Sequence, residues 1–228
     1  MKAMILAAGE GRRMRPLTDA TPKPLLMAGG LSLLEHHIIN LRDAGFTDLV
    51  VNAAYLGSAI RDFCGDGSRW NVSLTLSWES EPLETAGAVV HALPLLGDEP
   101  FLVINGDIFC PYPFSTFPTR PIERGTAHLI LVPNPPHNDG GDFSLLENQV
   151  TQPSGETWTF SGIGLYHPRF FADIPSGKRA LKPLFDAAIS RGRLSGQLWH
   201  GRWTDVGTPE RLRLLNDALA REVSWSQN

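Results

Sequence analysis

The stretch that decides the fold is MILAAGEGRRMRPLT at residues 4–18, which is followed by TPKPL at residues 21–25. An apolar run breaks into a loop with two glycines and three arginines, and Lys23 then lies between two prolines. Glycines let backbone N–H groups surround an anion, and arginine and lysine supply charge for a polyphosphate. The prolines restrict the backbone around Lys23, so less entropy is lost when its ammonium is oriented. The pattern predicts a nucleoside triphosphate site.

Two familiar phosphate-binding motifs do not fit these residues. A dinucleotide-binding fingerprint would need glycine where Met14 stands. A P-loop would need serine or threonine after Gly-Lys, but Arg179 follows Gly177 and Lys178. The Gly-x-Gly triplet is weak by itself, because three occur in the chain and about two are expected by chance at this glycine content. The prediction therefore depends on the whole string.

The composition is that of an ordinary water-soluble domain. A chain of 228 residues with 42% hydrophobic residues can form one large domain with a real core. The net charge of −4, with no basic run, argues against a nucleic-acid partner. Two distant cysteines, Cys64 and Cys110, indicate neither a disulfide framework nor a zinc site. The apolar segment at residues 3–8 is too short for a signal peptide, so we expect a cytoplasmic protein with no membrane partner and no obligate protein partner.

Strands and helices alternate through the first half of the chain, whereas the second half is richer in strands. Predicted strands cover residues 3–7, 48–52, 73–78, 101–105, 128–132, 143–146, 160–166 and 197–203. Predicted helices run from Ser32 to Gly45, over 55–63, 85–93 and 181–191, and onward from Thr208. The βαβ rhythm predicts an α/β fold with a Rossmann-like, doubly wound, mainly parallel sheet.

Two aspartates stand where strands end. Asp107 follows the apolar strand at residues 101–105, and Asp205 lies between a strand and a helix start. Ligands of open α/β sheets bind beyond the carboxyl ends of strands, and Mg²⁺ prefers one or two carboxylates plus phosphate oxygens. The alternative is that each aspartate only caps a turn or a helix, although Thr208 already fills the capping position near Asp205.

The opening string, together with Pro-Lys-Pro-Leu after it, resembles the signature of the sugar-1-phosphate nucleotidyltransferases, or nucleotide-sugar pyrophosphorylases. The resemblance implies one domain over residues 1–228, with a nucleotide-binding half at 1–110 and a sugar-binding half with a C-terminal helix at 111–228. It also implies that a sugar 1-phosphate attacks the α-phosphorus of a nucleoside triphosphate and expels pyrophosphate. Because the nucleophile is already an anion, no general base is required. Asp107 and Asp205 would hold the catalytic Mg²⁺.

The resemblance assigns roles to further residues. The expected catalytic residues are Arg13, Lys23 and Asp107. The expected nucleotide-binding residues are Ala7, Ala8, Gly9, Gly11, Arg12, Arg13, Lys23 and Thr85. The expected residues for the sugar and its phosphate are Asn105, Asp142, Glu147, Ser161 and Gly162.

The chain departs from the family in two places. Many relatives place a second lysine in the region of residues 125–168, but this chain has neither lysine nor arginine there. The sugar phosphate would then be neutralised by metal or by a basic residue elsewhere, such as Arg202. In the segment that closes over the nucleobase, commonly Leu-Gly-Thr-Ala, Glu84 replaces the glycine.

Several strings together resemble one branch of the family, the N-acetylmuramate-1-phosphate uridylyltransferases of peptidoglycan recycling. They are Leu-Glu-Thr at 83–85, Asn-Gly-Asp at 105–107, Gly-Asp-Phe at 141–143, Phe-Ser-Gly at 160–162 and Trp-Thr-Asp-Val-Gly at 203–207. The branch implies UTP and N-acetylmuramic acid 1-phosphate as small-molecule substrates. A glucose-1-phosphate or mannose-1-phosphate nucleotidyltransferase using dTTP, UTP or GTP is the alternative. A non-catalytic sugar-nucleotide-binding regulatory subunit would be expected to lack Lys23, Asp107 or Asp205, and all three are present.

Overall fold

The structure is a computed structural model that describes residues 1–117, 123 and 125–225, the side chains as far as residue 221; the rest of the predicted 1–228 domain lies outside the described residues. The helices are α1 (Leu33–Asp43), α2 (Gly57–Cys64), α3 (Glu84–Leu96), α4 (Lys182–Ile189) and α5 (Pro209–Trp225). The strands are β1 (Ala3–Leu6), β2 (Met27–Ala28), β3 (Leu31–Ser32), β4 (Asp48–Ala53), β5 (Ser73–Trp78), β6 (Phe101–Asn105), β7 (Ile108–Phe109), β8 (Ala127–Val132), β9 (Ser144–Leu146), β10 (Gln149–Thr151), β11 (Thr159–Tyr166), β12 (Leu194–Leu198) and β13 (Thr204–Asp205).

One large sheet contains strands from both halves of the chain. In the described residues its order is β5-β4-β1-β6-β11-β8-β12-β10-β9. The first four strands are parallel to one another, β12 is parallel to β8, and β11 runs antiparallel to both of its neighbours. The expected α/β fold with a large, mostly parallel central sheet is confirmed, and the antiparallel strands belong to the second half.

Helices cover both faces of this sheet, as the continuous apolar runs of β1 and β6 predict. Successive side chains of a strand point to opposite faces. Ile5 accordingly packs with the buried face of α1, including Ile38, whereas Met4 packs with Val89 of α3. The sheet is therefore wound on both sides, and its strand ends are left open for a ligand.

Local capping signals hold as the sequence predicts. The Oγ of Ser32 accepts a hydrogen bond from the backbone N–H of Glu35 at 3.1 Å, which begins α1. The Oγ1 of Thr208 accepts one from the N–H of Arg211 at 3.3 Å, which begins α5. The Glu35 carboxylate does not complete a reciprocal capping box, because its Oε1 accepts from the indole N–H of Trp70 at 2.9 Å.

The expected single strand at residues 197–203 is wrong. The chain forms β12 earlier, pairs it with β8, and leaves the sheet after Leu198. It returns as β13, which pairs antiparallel with β7 so that Asp205 lies opposite Ile108. The break brings Asp205 next to the end of β6. Within the described ranges, none of the helices combines the length and apolar character that a bilayer crossing requires.

Candidate active site

The first of two adjoining cavities lies beyond the carboxyl ends of β1 and β6 and has a volume of about 380 Å³. Its walls come from the loop after β1, the segment that leads into α3, and the residues after β6. The lining residues are Leu6, Ala8, Gly9, Gly11, Arg12, Arg13, Met14, Lys23, Pro24, Asn52, Glu79, Pro82, Leu83, Glu84, Thr85, Ala88, Asn105, Asp107 and Gly207. Most of the residues expected to bind nucleotide therefore share one cavity.

Gly11 shapes the loop after β1. Its φ of +62° lies in the left-handed region that glycine adopts without strain. A Cβ at this position would lie 3.0 Å from Cγ2 of Thr18 and 3.1 Å from Cβ of Lys23. The Oγ1 of Thr18 also donates to the carbonyl of Gly11 at 2.9 Å. Only glycine lets the loop fold back this closely on Lys23.

An ion pair joins the predicted triphosphate lysine to a predicted metal ligand. The Nζ of Lys23 donates to Oδ2 of Asp107 at 2.6 Å. The lysine side chain is 9% exposed and the aspartate side chain 40% exposed, so the ammonium is largely withdrawn from water while the carboxylate faces the cavity. The pair gives the buried ammonium a counter-charge and orients it toward the end of β6.

Asp205 approaches the same corner through β13. The backbone N–H of Val206 donates to the carbonyl of Asp107 at 2.8 Å. Both carboxylate oxygens of Asp205 accept from Nη1 of Arg211 at 2.5 Å, and Nε2 of His137 lies 2.9 Å from Oδ1. Asp205 on β13 and Asp107 immediately before β7 are thus held near the pairing of these two short strands, and each carboxylate has a cationic partner, Arg211 or Lys23.

The donor set at this corner fits magnesium. Within the described residues no group of three His, Cys, Asp or Glu side chains could hold a metal on its own. Mg²⁺ keeps several waters and takes one or two carboxylates together with substrate phosphates, so it does not require such a group. Asp107 supplies hard carboxylate oxygens in the lining of the first cavity, and Asp205 supplies them beside it, on the strand that pairs with the residues after Asp107.

A buried polar chain fixes the width of the first cavity. The N–H of Ala7 donates to Oδ1 of Asn52 at 2.6 Å, and Nδ2 of Asn52 donates to Oε1 of Glu79 at 2.6 Å. The other oxygen of Glu79 accepts from the N–H of Leu83 at 3.0 Å. Burial raises the pKa of Glu79, and these two hydrogen bonds oppose that shift. The chain connects the loop after β1 to the segment before α3.

The second cavity has a volume of about 440 Å³ and shares Glu84, Thr85 and Asn105 with the first. The rest of its lining is mostly apolar and aromatic: Asp142, Phe143, Phe160, Ala180, Leu181, Lys182 and Phe185. Its cation is Lys182, whose Nζ lies 2.5 Å from Oδ1 of Asp186 and 5.4 Å from the centre of the Phe143 ring. The two cavities form one groove with a common wall.

Residues expected at the sugar occupy different positions. Asn105 lines both cavities and Asp142 lines the second. Gly162 supports Asn105 from behind, since a Cβ there would lie 2.7 Å from its Nδ2. Ser161 is buried, and its Oγ accepts from the N–H of Ile163 at 3.1 Å. Ser161 and Gly162 therefore shape the wall without lining either cavity.

The expectation for Glu147 is not supported. Glu147 lies in the turn between β9 and β10, at the edge of the sheet, and is in neither lining of the described residues. Arg202 is likewise in neither lining. Ala7 is buried behind the first cavity, and the exposed Arg12 pairs with Glu10 at 2.5 Å while lining that cavity.

Sequence reasoning missed the chain through Asn52 and Glu79, and it also missed Lys182. Asn52 could have been predicted, because a polar residue near the carboxyl end of an apolar strand lies at the edge of the sheet where ligands bind. Nothing in the sequence indicated a binding role for Lys182, since a lysine at the start of a predicted helix is expected to be exposed to solvent.

Known proteins with related sequences and structures share this architecture. A family model described as nucleotidyl transferase matches residues 2–222. The N-acetylmuramate alpha-1-phosphate uridylyltransferase of Neisseria meningitidis serogroup B is 50% identical, over 99% of this chain and 100% of its own length. The mannose-1-phosphate guanyltransferase of Aspergillus fumigatus is 32% identical, over 92% of this chain but only 62% of its own length.

Two solved structures show the same fold. HddC from Yersinia pseudotuberculosis, complexed with GMP-PN, has a TM-score of 0.80 and 22% identity, covering 95% of this chain and 98% of its own. A Bacillus anthracis protein assigned as a glucose-1-phosphate thymidylyltransferase, solved with sucrose, has a TM-score of 0.84 and 23% identity, covering 96% and 95%. At these identities the likeness concerns the fold alone.

Proposed function

Because the chain belongs to the nucleotidyl transferase family, we propose that it joins UTP and N-acetylmuramic acid 1-phosphate to give UDP-N-acetylmuramic acid and pyrophosphate, in peptidoglycan recycling. The observation that carries the proposal is the groove of two cavities with one common wall. One cavity has the glycine–arginine loop and Lys23, and the other is aromatic. Two different substrates would meet at Glu84, Thr85 and Asn105.

The chemistry needs positioning and charge neutralisation. An oxygen of the sugar phosphate forms a bond to the α-phosphorus of UTP, the bond from that phosphorus to the bridging oxygen breaks, and pyrophosphate leaves with the electron pair. No proton has to be removed from the nucleophile. Arg13 and Lys23 would bind the triphosphate and reduce the repulsion between the two anions.

Asp107 and Asp205 would hold Mg²⁺ at the meeting point of the two phosphates. When bound, the ion would neutralise charge that develops on the phosphate oxygens. Lys23 and Arg211 already hold these carboxylates in place by ion pairs. The protein therefore presents both aspartates without having to reorganise its strands.

The lining of the second cavity supports a muramyl substrate. N-acetylmuramic acid carries an acetyl group, a lactyl methyl group and a lactyl carboxylate, whereas glucose and mannose carry only hydroxyls. Phe143, Phe160 and Phe185 offer apolar surface for the methyl groups, and Lys182 offers a cation for the carboxylate. The side chain of Lys182 is 53% exposed, so its pairing with Asp186 is weak enough to be rearranged by a ligand.

The direct test is pyrophosphate release from purified protein with Mg²⁺. UTP, dTTP, GTP, CTP and ATP are each combined with the 1-phosphates of N-acetylmuramic acid, N-acetylglucosamine, glucose and mannose. We expect UTP with the muramyl substrate to have the highest kcat/KM. A higher value for dTTP or GTP with glucose or mannose 1-phosphate would overturn the substrate assignment, and no release from any pair would contradict the enzymatic proposal.

We also propose a cytoplasmic location. Cys64 and Cys110 are both buried and unpaired, as is usual for proteins of a reducing compartment. Burial raises the pKa of each thiol to about 12, which keeps both in the unreactive thiol form.

A further inference from the structure

Glu84, the first residue of α3, adopts a backbone conformation that disfavours its own side chain. Its φ is +59°, in the left-handed region, where a residue with a Cβ is strained by roughly 1–2 kcal/mol and glycine is not. Among the described residues, Leu56, Asn71 and Glu147 are the other non-glycine residues with positive φ. Of these four, Glu84 is the one that lines a cavity, and it lines both.

The surrounding backbone enforces this conformation. The N–H groups of Ala86 and Gly87 both donate to the carbonyl of Arg179, at 3.0 and 3.2 Å, and the N–H of Arg179 donates to the carbonyl of Leu83 at 2.9 Å. A Cβ on Gly87 would lie 2.3 Å from the carbonyl oxygen of Gly177. Glycine could adopt this φ at position 84 without strain. The glutamate side chain therefore lowers the stability of the folded protein at this position. Such strain is typical of binding sites.

The carboxylate of Glu84 has limited options as a binding group. It is 46% exposed at the common wall, and the nearest cation, Nζ of Lys178, is 3.8 Å away. A carboxylate accepts hydrogen bonds and repels phosphate, so the substrate group that it can bind is an O–H or N–H donor. If UTP occupies the first cavity and the sugar the second, the sugar carbon that bears the phosphate would lie at the common wall, and the group on the adjacent carbon 2 would come close to Glu84.

We propose that Glu84 determines acceptor specificity by accepting a hydrogen bond from the donor group on carbon 2 of the sugar 1-phosphate. In the muramyl substrate this donor is the N–H of the acetamido group. The inference rests on the proposed function for the identity of the sugar. Glu84 acts in binding, so its loss raises the KM for the sugar phosphate and leaves the KM for UTP near its wild-type value.

The test compares Glu84→Gly and Glu84→Gln with a matched control, Glu147→Gly. Both glutamates have positive φ, but Glu147 lies in the turn between β9 and β10 and lines neither of the two cavities. Relief of strain predicts that each glycine variant melts at or above the wild-type temperature, by up to about 3 °C. Only Glu84→Gly raises the KM and the calorimetric Kd for N-acetylmuramic acid 1-phosphate, by about tenfold to a hundredfold. Glu84→Gln gives a smaller rise because it keeps one acceptor oxygen.

Three results would overturn the inference. One is an unchanged sugar KM and Kd in Glu84→Gly, and another is a rise confined to the KM for UTP, which would assign the carboxylate to the nucleotide. The third is an equal rise in Glu147→Gly. If the wild type prefers a different sugar 1-phosphate, the proposed function fails, and Glu84 is judged by the Kd for that sugar instead. Calorimetry measures the Kd for the sugar 1-phosphate without turnover, so the effect on binding is separated from any effect on catalysis.

Discussion

The Nζ of Lys23 lies 2.6 Å from Oδ2 of Asp107, although the two residues are 84 positions apart in the chain. The first follows the loop after β1 and the second follows β6, and these strands are parallel neighbours. The ion pair therefore spans the two strand ends that border the first cavity. The ion pair links the cation proposed to bind the triphosphate to a carboxylate proposed to bind magnesium. A change in either residue should therefore affect both triphosphate binding and magnesium binding.

Removal of the Lys23 ammonium should abolish most of the activity. In Lys23→Met we expect kcat/KM for pyrophosphate release to fall by several orders of magnitude, on the order of 4 kcal/mol or more, because developing charge on the phosphates loses a fixed cation. Arg15→Ala is the control, since Arg15 is exposed, pairs with Asp19 and is outside the cavity lining. A Lys23→Met enzyme within tenfold of the control would remove Lys23 from catalysis.

Loss of the Asp205 carboxylate should weaken magnesium binding. Asp205→Asn is expected to raise the Mg²⁺ concentration for half-maximal activity by about tenfold or more, because a neutral amide is a poorer ligand for a hard cation. Asp217→Asn serves as the control, because Asp217 pairs with Arg213 on the exposed face of α5. Titration of Mg²⁺ by activity and by thermal shift with UTP measures both variants. An equal Mg²⁺ concentration for half-maximal activity in the two variants would contradict the proposal that Asp205 binds the metal.

The Lys182 ammonium should matter only for an acidic sugar. In Lys182→Ala we expect the KM for N-acetylmuramic acid 1-phosphate to rise about tenfold, whereas that for N-acetylglucosamine 1-phosphate, which lacks the lactyl carboxylate, stays near the wild-type value. Arg213→Ala is the control, since it removes a similarly exposed cation that also pairs with an aspartate four residues later. Equal rises in the KM for both sugar 1-phosphates would show that Lys182 does not bind the lactyl carboxylate.

His37 should make the fold sensitive to acid. Burial lowers its pKa from 6.5 to about 4, although a hydrogen bond with the Ile108 backbone opposes the shift, and its Nε2 has no partner among the described residues. The unfolded chain binds a proton more readily than the folded protein between these values. The stability that neutral His37 provides is complete above pH 6.5 and is lost as the pH falls through 4, which amounts to about 2 kcal/mol at pH 5.

The acid effect can be isolated by difference. Urea unfolding at pH 7.5 and pH 5.0 gives the loss of unfolding free energy for the wild type and for His37→Leu, and the variant should lose about 2 kcal/mol less. His91→Leu, which changes an exposed histidine on α3, should keep the wild-type difference. An identical loss in all three proteins would show that His37 does not titrate in this range.

The parts of the fold that could be predicted are those set by local signals. The apolar run of β6 and the serine before α1 fix their elements within a few neighbouring residues, so their bounds follow from the sequence. The course of residues 194–205 depends instead on distant partners, β8 and β7, which periodicity does not identify.

The candidate site likewise has parts that the local sequence predicts and parts that it does not. The glycine–arginine loop and Lys23 are close in sequence, so the pattern predicts their shared cavity. Lys182 lines the second cavity and Glu147 lines neither, and this outcome depends on how distant elements pack, which the local sequence does not show. At Glu84 the sequence contains one signal, because glutamate replaces the glycine that is common in the family, but the positive φ at this position is shown only by the structure.

Strand β6 is bordered by parallel β1 on one side and antiparallel β11 on the other. Every lining residue of the first cavity except Gly207 therefore precedes residue 108, while the aromatic wall of the second comes from residues 143–185. An enzyme encoded by a chimaeric gene joined just after Asp107 would take most of the first cavity, including Glu84, from one parent, and the aromatic wall and Lys182 of the second cavity from the other. Such an exchange would change the wall of the second cavity and leave Arg13, Lys23 and Asp107 in place.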